Sequence, residues 1–434
     1  MRPSAPGLSN RAVALGASLD AGQRSALAVA WRAAWSSRLL VWTAGVLGLL
    51  KVGLEPTITP PGLSRPFGSL GNLLSAPATA WDAGSYLTLA QYGYRPRSLS
   101  AFFPGYPMLM RAGAWSPGAT VVAGVVVSLL AFLVALYLLH RLVSLECGSE
   151  AAGLTVLLVA FAPMALFFSA IYTESVFLAL SVGAFYAARS GWWARAGIAG
   201  GLAATTRITG LVLILPLLAL YLYGPREDQL ARCGAGSWRP RFPLRRDGWF
   251  LVLVPAGALL FFVYQGAHGD FLAPLHAAQS YWHRRFVPLG GAVHGLIDAV
   301  RSLHQLAAGA SAHVLPSASL QAAGQLSDPL KLAAADLTDF GFLLFAGIAC
   351  VGVARRLPVA YAIYAVASVV LAASTFPRFE PLASFPRYLV VVFPCLIWLA
   401  LWAGRHARGR VSLLMSAGLL AFFAAQFASW RWVA

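Results

Sequence analysis

Long apolar runs separated by short polar segments fill nearly the whole chain. A helix needs about 20 apolar residues to cross the hydrocarbon core of a bilayer. Runs that approach or exceed this length lie near 33–54, 118–142, 151–168, 171–189, 195–223, 249–266, 340–354, 357–375, 386–404 and 411–430. The pattern therefore predicts an all-α, polytopic integral membrane protein with about ten or eleven transmembrane helices.

The composition agrees with this interpretation and offers an explanation for the high positive net charge. The chain is 59% hydrophobic and 11% charged, whereas soluble domains carry about 25% charged residues. A net charge of +17 could indicate nucleic-acid binding, but cytoplasmic loops of membrane proteins accumulate Arg and Lys. We therefore expect no nucleic-acid partner, a cytoplasmic segment over 1–32, and a transmembrane domain over 33–430. Arg-rich, Lys-poor usage with abundant Ala and Gly favours a bacterial source and hence the bacterial plasma membrane.

The 195–223 run is long for one pass, and Thr205 to Gly210 interrupts it. The next loop, 224–247, contains six Arg residues and is expected on the cytoplasmic side. Both observations are met if the run forms two half-length passes that meet at Arg207 near the outer face. Broken helices are tolerated at membrane depth where they line a protein cavity.

This topology places two long loops, 55–117 and 267–339, on the extracytoplasmic side. In the first loop we expect an interfacial helix over residues 80–92, with Leu87, Leu89 and Ala90 facing lipid.

The second loop contains an amphipathic stretch from Val293 to Leu306, which predicts another interfacial helix. Near its end, Asp328 and Pro329 form the pattern of an N-cap followed by a first-turn proline. The next spanning helix is therefore expected to begin at this point.

Asp82 is the first candidate for chemistry, since it follows Trp81 in the first outer loop. A carboxylate beside aromatic side chains at a bilayer surface is suited to act as a general base toward a sugar hydroxyl. The alternative is a structural role, because Asp is also favoured as a helix N-cap.

Four arginines and one acid are further candidates on the same side. Arg207, Arg387, Arg284 and Arg285 could bind a phosphate, because guanidinium presents a fork of donors that matches phosphate oxygens. The alternatives are a structural pair of Arg207 with Glu174, an interfacial position for Arg387, and ordinary surface charge for the Arg284 pair. Glu174 could orient Arg207, bind acceptor hydroxyls, or simply begin a helix.

Five motifs in order along residues 80–400 resemble the GPI mannosyltransferase 2 (PIG-V) family of integral-membrane glycosyltransferases. They are Trp81-Asp82 with Tyr86, Ala90 and Gly93-Tyr94; Ala101 to Pro107, which includes Tyr106; Phe168 to Ser175; Thr206 to Leu211; and Pro386-Arg387-Tyr388 with Phe393-Pro394.

The resemblance implies a GT-C fold, whose catalytic site faces away from the cytosol. It implies a polyprenyl-phosphate sugar donor, most often mannose, and it matches Asp82 to the catalytic carboxylate. The implied reaction inverts the anomeric centre, and the acceptor is a glycolipid, a glycan or a protein hydroxyl. Trp81, Tyr86, Tyr106, Tyr172 and Glu174 are the substrate-binding candidates. We expect no cofactor and no metal, because the histidines are widely spaced and no Asp-x-Asp motif occurs.

Two other functions remain open. A lipid or sugar transporter or flippase would carry charges at several mid-helix positions and an approximate repeat of two halves, and neither is evident in the sequence. A non-catalytic scaffold subunit could keep the fold and lose the acid, and the presence of Asp82 argues against it.

Overall fold

The computed structural model describes residues 8–53, 61–228, 240–312, 314–317, 319, 328–378, 380–404, 407–431 and 433. Residues 1–7 of the predicted cytoplasmic segment lie outside this set. So do residues 54–60 and 320–327 of the two outer loops, and residues 229–239 of the Arg-rich inner loop.

The described residues are almost entirely helical, which confirms the all-α fold class. The α-helices are α1 Leu8–Val52, α2 Pro61–Ser64, α3 Ser69–Thr79, α4 Ala83–Tyr92, α5 Gly105–Met110, α6 Pro117–Ala160, α7 Glu174–Arg189, α8 Trp193–Thr206, α9 Ile214–Tyr223, α10 Leu253–Ala267, α11 Ala273–Ser280, α12 Gly290–Ala308, α13 Pro329–Arg356, α14 Val359–Ser374, α15 Phe385–Leu389, α16 Phe393–Ala403 and α17 Ala407–Ala428. Two short strands, β1 Arg284–Phe286 and β2 Thr375–Pro377, pair in antiparallel register with Arg284 opposite Pro377.

Within the described residues, five helices are long and apolar enough to cross a membrane, which supports an integral membrane protein. They are Gly22–Lys51, Pro117–Ala160, Arg246–Ala267, Pro329–Arg356 and Ala407–Ala428. Shorter apolar helices over Ile208–Tyr223, Val359–Ser374 and Phe393–Ala403 add to the bundle.

The predicted spans differ from the helices mainly at breaks. Residues 118–142 and 151–168 were expected as separate spans, and α6, Pro117–Ala160, is indeed divided into two helical segments by a kink at Gly148. Gly148 has φ 85° and ψ 164°, a conformation that glycine adopts without a steric penalty. The 386–404 run is divided into α15 and α16 by residues 390–392. The predicted break of the 195–223 run is confirmed, because α8 ends at Thr206 and Arg207 is extended.

The 55–117 loop, predicted to lie outside, folds differently from expectation. The interfacial helix expected at residues 80–92 exists as α4, but Leu87, Leu89 and Ala90 do not face lipid. Each is at most 3% exposed, because α4 packs against α5 and α6 inside the protein. The sequence pattern identified an apolar helix face correctly and assigned it the wrong environment.

The second outer loop agrees with the sequence more closely. The amphipathic stretch forms α12, whose Val293, Leu296 and Val300 are exposed. Asp328 caps α13 through its side chain, which accepts a hydrogen bond from the Lys331 amide, and Pro329 occupies the first turn. The predicted helix start is therefore confirmed.

Buried polar contacts fix the segment between α6 and α7, which leads to the site. Arg38 of α1 is 4% exposed and donates to the Ala165 carbonyl at 2.7 Å and to the Ser169 hydroxyl at 2.8 Å. Arg38 Nη2 also donates to the Ala160 carbonyl at 3.3 Å, a group that the end of α6 leaves without a helical partner. As a result, α1 holds the turn from which Tyr172 and Glu174 project.

Candidate active site

The site begins at a strained turn that carries Asp82. Trp81 has φ 58°, which is unfavourable for a bulky side chain. The Tyr172 hydroxyl stabilises this turn, because it accepts from the Asp82 amide at 3.0 Å and donates to the Ala80 carbonyl at 3.3 Å. Asp82 stands at the N-cap of α4, yet its side chain makes no capping hydrogen bond. The carboxylate is therefore directed to another partner.

That partner is Arg387, which begins a chain of alternating charges. Arg387 Nη1 donates to Asp82 Oδ2 at 2.8 Å, and Arg387 Nε lies 3.3 Å from Glu174 Oε1. Arg207 Nη2 donates to the same Glu174 oxygen at 2.9 Å. The four side chains are mostly buried, with exposures of 24% for Asp82, 10% for Arg387, 1% for Glu174 and 11% for Arg207. Asp82 and Arg207 thus belong to one connected cluster.

Three breaks in regular structure bring these groups together. Glu174 is the first residue of α7, where a negative charge is favoured by the helix dipole. Arg207 stands at the break after α8, with φ −155° and ψ 143°. Arg387 lies in the short helix α15, which follows Ser384 at φ 68°. At a helix end, a side chain can extend into the bundle in a direction that is not open to a side chain in the middle of a helix.

Several buried polar atoms of this cluster have no hydrogen-bond partner among the described residues. They are Glu174 Oε2, Arg387 Nε and Thr173 Oγ1. The 3.3 Å approach of Arg387 Nε to Glu174 is an ion-pair distance without hydrogen-bond alignment. Buried unpaired polar atoms cost about 1–3 kcal/mol each and are uncommon in native interiors. Their concentration around Asp82 is characteristic of a site that binds a polar ligand.

Arg284 joins the cluster from the 267–339 loop. The pairing of β1 with β2 fixes its backbone, and its guanidinium donates to the Thr375 carbonyl at 3.3 Å and the Ser384 hydroxyl at 3.2 Å. Within the described residues it has no carboxylate partner. Arg285, its neighbour on the strand, is exposed and lies over the Phe376 ring at 4.8 Å. The structure therefore brings Arg284 to the site and leaves Arg285 outside it.

The candidate aromatic side chains fall into two groups. Trp81 is half-buried, packs on Trp430 with ring centroids 5.4 Å apart, and borders a narrow crevice beside Asp82. Tyr86 and Tyr106 are buried together, with ring centroids 5.5 Å apart, and burial raises the pKa of Tyr86 above its ordinary value. The Tyr106 hydroxyl bonds to the Gly124 carbonyl at 2.9 Å. Tyr106 thus supports packing beneath the site, whereas Trp81 borders it.

A large apolar cavity lies next to the cluster. It has a volume of about 820 Å³, and its wall includes Val176, two residues after Glu174, and Thr206, which precedes Arg207. Met108, Leu202 and Leu260 also line it, and they are 66%, 50% and 66% exposed. In a membrane protein such exposed apolar side chains face lipid. The cavity is thus open toward the bilayer on one side and close to the charges on the other.

Sequence reasoning missed two contributors. The Tyr388 ring lies within 5.7 Å of the guanidinium carbons of Arg207, Arg284 and Arg387. Its place beside Arg387 in the late motif was the available signal. Trp430 packs on Trp81 from the end of α17, and no sequence pattern pointed to it.

The site offers no evident metal centre within the described residues, where no group of three His, Cys, Asp or Glu side chains is arranged to hold an ion. Its charged groups are instead arginines and carboxylates in direct contact.

Together, the fold and the site define a polytopic helical membrane protein with a buried acid–arginine cluster beside a lipid-facing cavity. Residues 68–215 match the family described as Mannosyltransferase (PIG-V). The matched part of the chain contains Asp82, Glu174 and Arg207. The resemblance inferred from the motifs is thereby confirmed.

Two individual proteins are similar to this chain. GPI alpha-1,6-mannosyltransferase 2 of Mus musculus is 28% identical over 233 residues, which cover 50% of this chain and 45% of that protein. The chain thus matches less than half the length of this relative. The crystal structure of ArnT from Cupriavidus metallidurans bound to undecaprenyl phosphate is similar with a TM-score of 0.35 and 14% identity, covering 91% of this chain and 77% of that one.

Proposed function

We propose that the protein is an inverting glycosyltransferase that moves mannose from polyprenyl-phosphate-mannose to a hydroxyl on the extracytoplasmic face. The acceptor belongs to a glycolipid, a glycan or a protein. One observation carries the proposal: a partly exposed carboxylate, Asp82, shares a cluster with arginines at the edge of a lipid-facing cavity. The family match over residues 68–215 supports mannose as the sugar.

Asp82 serves as the general base. Arg387 occupies Oδ2 and orients the carboxylate, while Oδ1 has no hydrogen-bond partner among the described residues. Tyr172 fixes the backbone from which the side chain projects. An oriented acceptor atom at a partly exposed position meets the geometric requirement for proton abstraction from a bound hydroxyl.

Arginines balance the charge on the donor. Arg207 uses one donor atom for Glu174, and its remaining donors are available to a phosphate, with Arg387 and Arg284 close by. As the bond to the sugar breaks, negative charge grows on the phosphate oxygens. Fixed donors that stabilise such developing charge usually contribute the largest catalytic term.

The cavity accounts for the lipid part of the donor. Its wall is predominantly apolar, and its exposed rim formed by Met108, Leu202 and Leu260 allows an isoprenoid chain to enter from the bilayer. Thr206 connects this wall directly to Arg207. A lipid phosphate bound here would have its chain in the cavity and its head at the arginines.

The reaction is a single displacement. Asp82 takes the proton of the acceptor hydroxyl, and the oxygen forms a bond to the anomeric carbon of the sugar. The bond from that carbon to the phosphate oxygen breaks, and its electron pair leaves with the polyprenyl phosphate. The anomeric configuration inverts, so a β-linked donor gives an α-mannoside.

The test uses the full chain in proteoliposomes with β-linked polyprenyl-phosphate [¹⁴C]mannose and membrane glycolipids as acceptors. We expect label in the glycolipid fraction for the wild type and about a 100- to 10,000-fold lower rate for Asp82→Asn. Transfer at the wild-type rate by the variant would remove Asp82 from the base role. Movement of intact labelled donor across the bilayer without a new glycoside would instead identify a transporter.

A further inference from the structure

Three guanidinium groups surround a single ring at the site. The guanidinium carbons of Arg207, Arg387 and Arg284 lie 5.0, 5.4 and 5.7 Å from the Tyr388 ring centroid. Cation–π attraction favours each contact singly, but three like charges at this spacing repel one another. The arrangement therefore needs negative charge nearby.

The two acids of the cluster supply only part of that charge. Glu174 pairs with Arg207, and Asp82 pairs with Arg387. Among the described residues, Arg284 bonds only to the neutral oxygens of Thr375 and Ser384. Within that part of the chain, the three guanidinium groups and the two carboxylates of the cluster leave one positive charge, located on the side of Tyr388 that Arg284 occupies.

The backbone around Arg284 is arranged to hold it there. The pairing of β1 with β2 sets its position, and residues with left-handed backbone flank the contact, namely His283 at φ 48° and Ser384 at φ 68°. Non-glycine residues in this region cost about 1–3 kcal/mol each and concentrate at functional sites. Arg284 is thus held in place by structure that is itself strained.

Tyr388 has the properties of a strong hydrogen-bond donor to an anion. Its ring lies between the guanidinium groups of Arg207, Arg284 and Arg387, and its phenol is a hydrogen-bond donor. Hydrogen bonds to charged oxygens are shorter and stronger than those between neutral groups.

We propose that Tyr388 and Arg284 form the binding site for the phosphate of the lipid-linked donor. This inference rests on the proposed function and names a positioning residue that the family motifs did not assign. The Tyr388 hydroxyl donates to a phosphate oxygen, and Arg284 supplies the charge that the two acids leave unbalanced.

The test measures binding separately from sugar transfer. Farnesyl phosphate and farnesol are titrated against the full chain in nanodiscs, with affinity read from displacement of a fluorescent isoprenoid. We expect the wild type to prefer farnesyl phosphate, and Tyr388→Phe and Arg284→Gln to lose at least about tenfold in affinity for it. Their affinity for farnesol should stay unchanged.

Arg285→Gln is the matched control, because Arg285 shares the strand but lies over Phe376, outside the cluster. It should bind both probes as the wild type does. Tyr388→Phe keeps the ring and its cation contacts, so the substitution tests the hydroxyl alone.

Unchanged farnesyl phosphate binding by Tyr388→Phe would contradict the proposed phosphate-binding site. An equal loss of affinity for both probes would also contradict it, because it would indicate a structural role for Tyr388. The two proposals can fail separately. If phosphate-selective binding depends on Tyr388 but no sugar is transferred, the transferase proposal is refuted and the proposed phosphate-binding site is not. Normal transfer with an unchanged KM for the donor in Tyr388→Phe would refute the proposed phosphate-binding site alone.

Discussion

Neutralising the two acids of the cluster is expected to have different consequences, a loss of activity for one and a loss of stability for the other. Asp82 and Glu174 both contact Arg387, and each can be replaced by its amide with little change in shape. Asp82→Asn should abolish activity and spare stability, whereas Glu174→Gln should lower stability strongly. The difference follows from burial, since Asp82 is 24% exposed and Glu174 only 1%.

The magnitudes can be estimated from these environments. Breaking a buried ion pair costs about 3–5 kcal/mol, because the remaining charge is left uncompensated. Glu174→Gln leaves Arg207 without its carboxylate and weakens the environment of Arg387, so a loss of this size is expected. At Asp82 the carboxylate is partly screened by solvent and Arg387 keeps Glu174 at 3.3 Å, so a smaller cost of about 1 kcal/mol is expected. For transfer, removal of a general base is worth about 100- to 10,000-fold.

The assay combines thermal unfolding in detergent with transfer rates corrected for the folded fraction. Asp82→Asn should unfold within a few degrees of the wild type and be almost inactive. Glu174→Gln should unfold at a clearly lower temperature. If Asp82→Asn were as destabilised as Glu174→Gln, and its activity loss matched its unfolded fraction, Asp82 would be a structural partner of Arg387 and not a base.

Three further outcomes are expected. Arg207→Lys keeps the charge but loses the guanidinium fork, so the KM for the donor should rise about tenfold in initial-rate measurements; an unchanged KM would remove Arg207 from donor binding. Leu202→Trp fills the apolar cavity and should raise the KM for long-chain donors more than the KM for farnesyl-phosphate-mannose. Leu419→Trp, at an exposed position on α17, is the control and should change neither KM. Equal effects of Leu202→Trp on both donors would contradict a lipid chain in the cavity. Transfer should survive EDTA, because arginines oppose the charge of the phosphate, and loss of activity that Mn²⁺ or Mg²⁺ restores would contradict this expectation.

The parts of the site that the sequence predicted were those with a local signature. An acid after Trp81 in a polar loop and an arginine in the middle of an apolar run both stand out against a lipid-like background. The topology predicted from the sequence places these loops on the same side, in agreement with their assembly into one cluster. The residues that these side chains contact were harder to predict from the sequence. The Arg387–Asp82 pair joins positions 305 residues apart, and no local pattern encodes such a contact.

The fold was predicted in outline for a similar reason. Length and apolarity identify helices but not what surrounds them. Leu87 and Leu89 form an apolar face that would suit lipid equally well, and only the packing of α4 against α5 and α6 buries it. Gly148 separates the two helical segments of α6 between the two spans that the sequence predicted, because a glycine at positive φ turns the chain within a single residue.

A single-turnover experiment tests the central claim most directly. Wild-type protein and Asp82→Asn are loaded with labelled polyprenyl-phosphate-mannose, the bound donor is counted, and acceptor is then added. The account predicts equal donor occupancy, with transfer slowed by about 100- to 10,000-fold in the variant. Equal occupancy with equal rates would contradict it, because the carboxylate at residue 82 would then take no part in the chemical step.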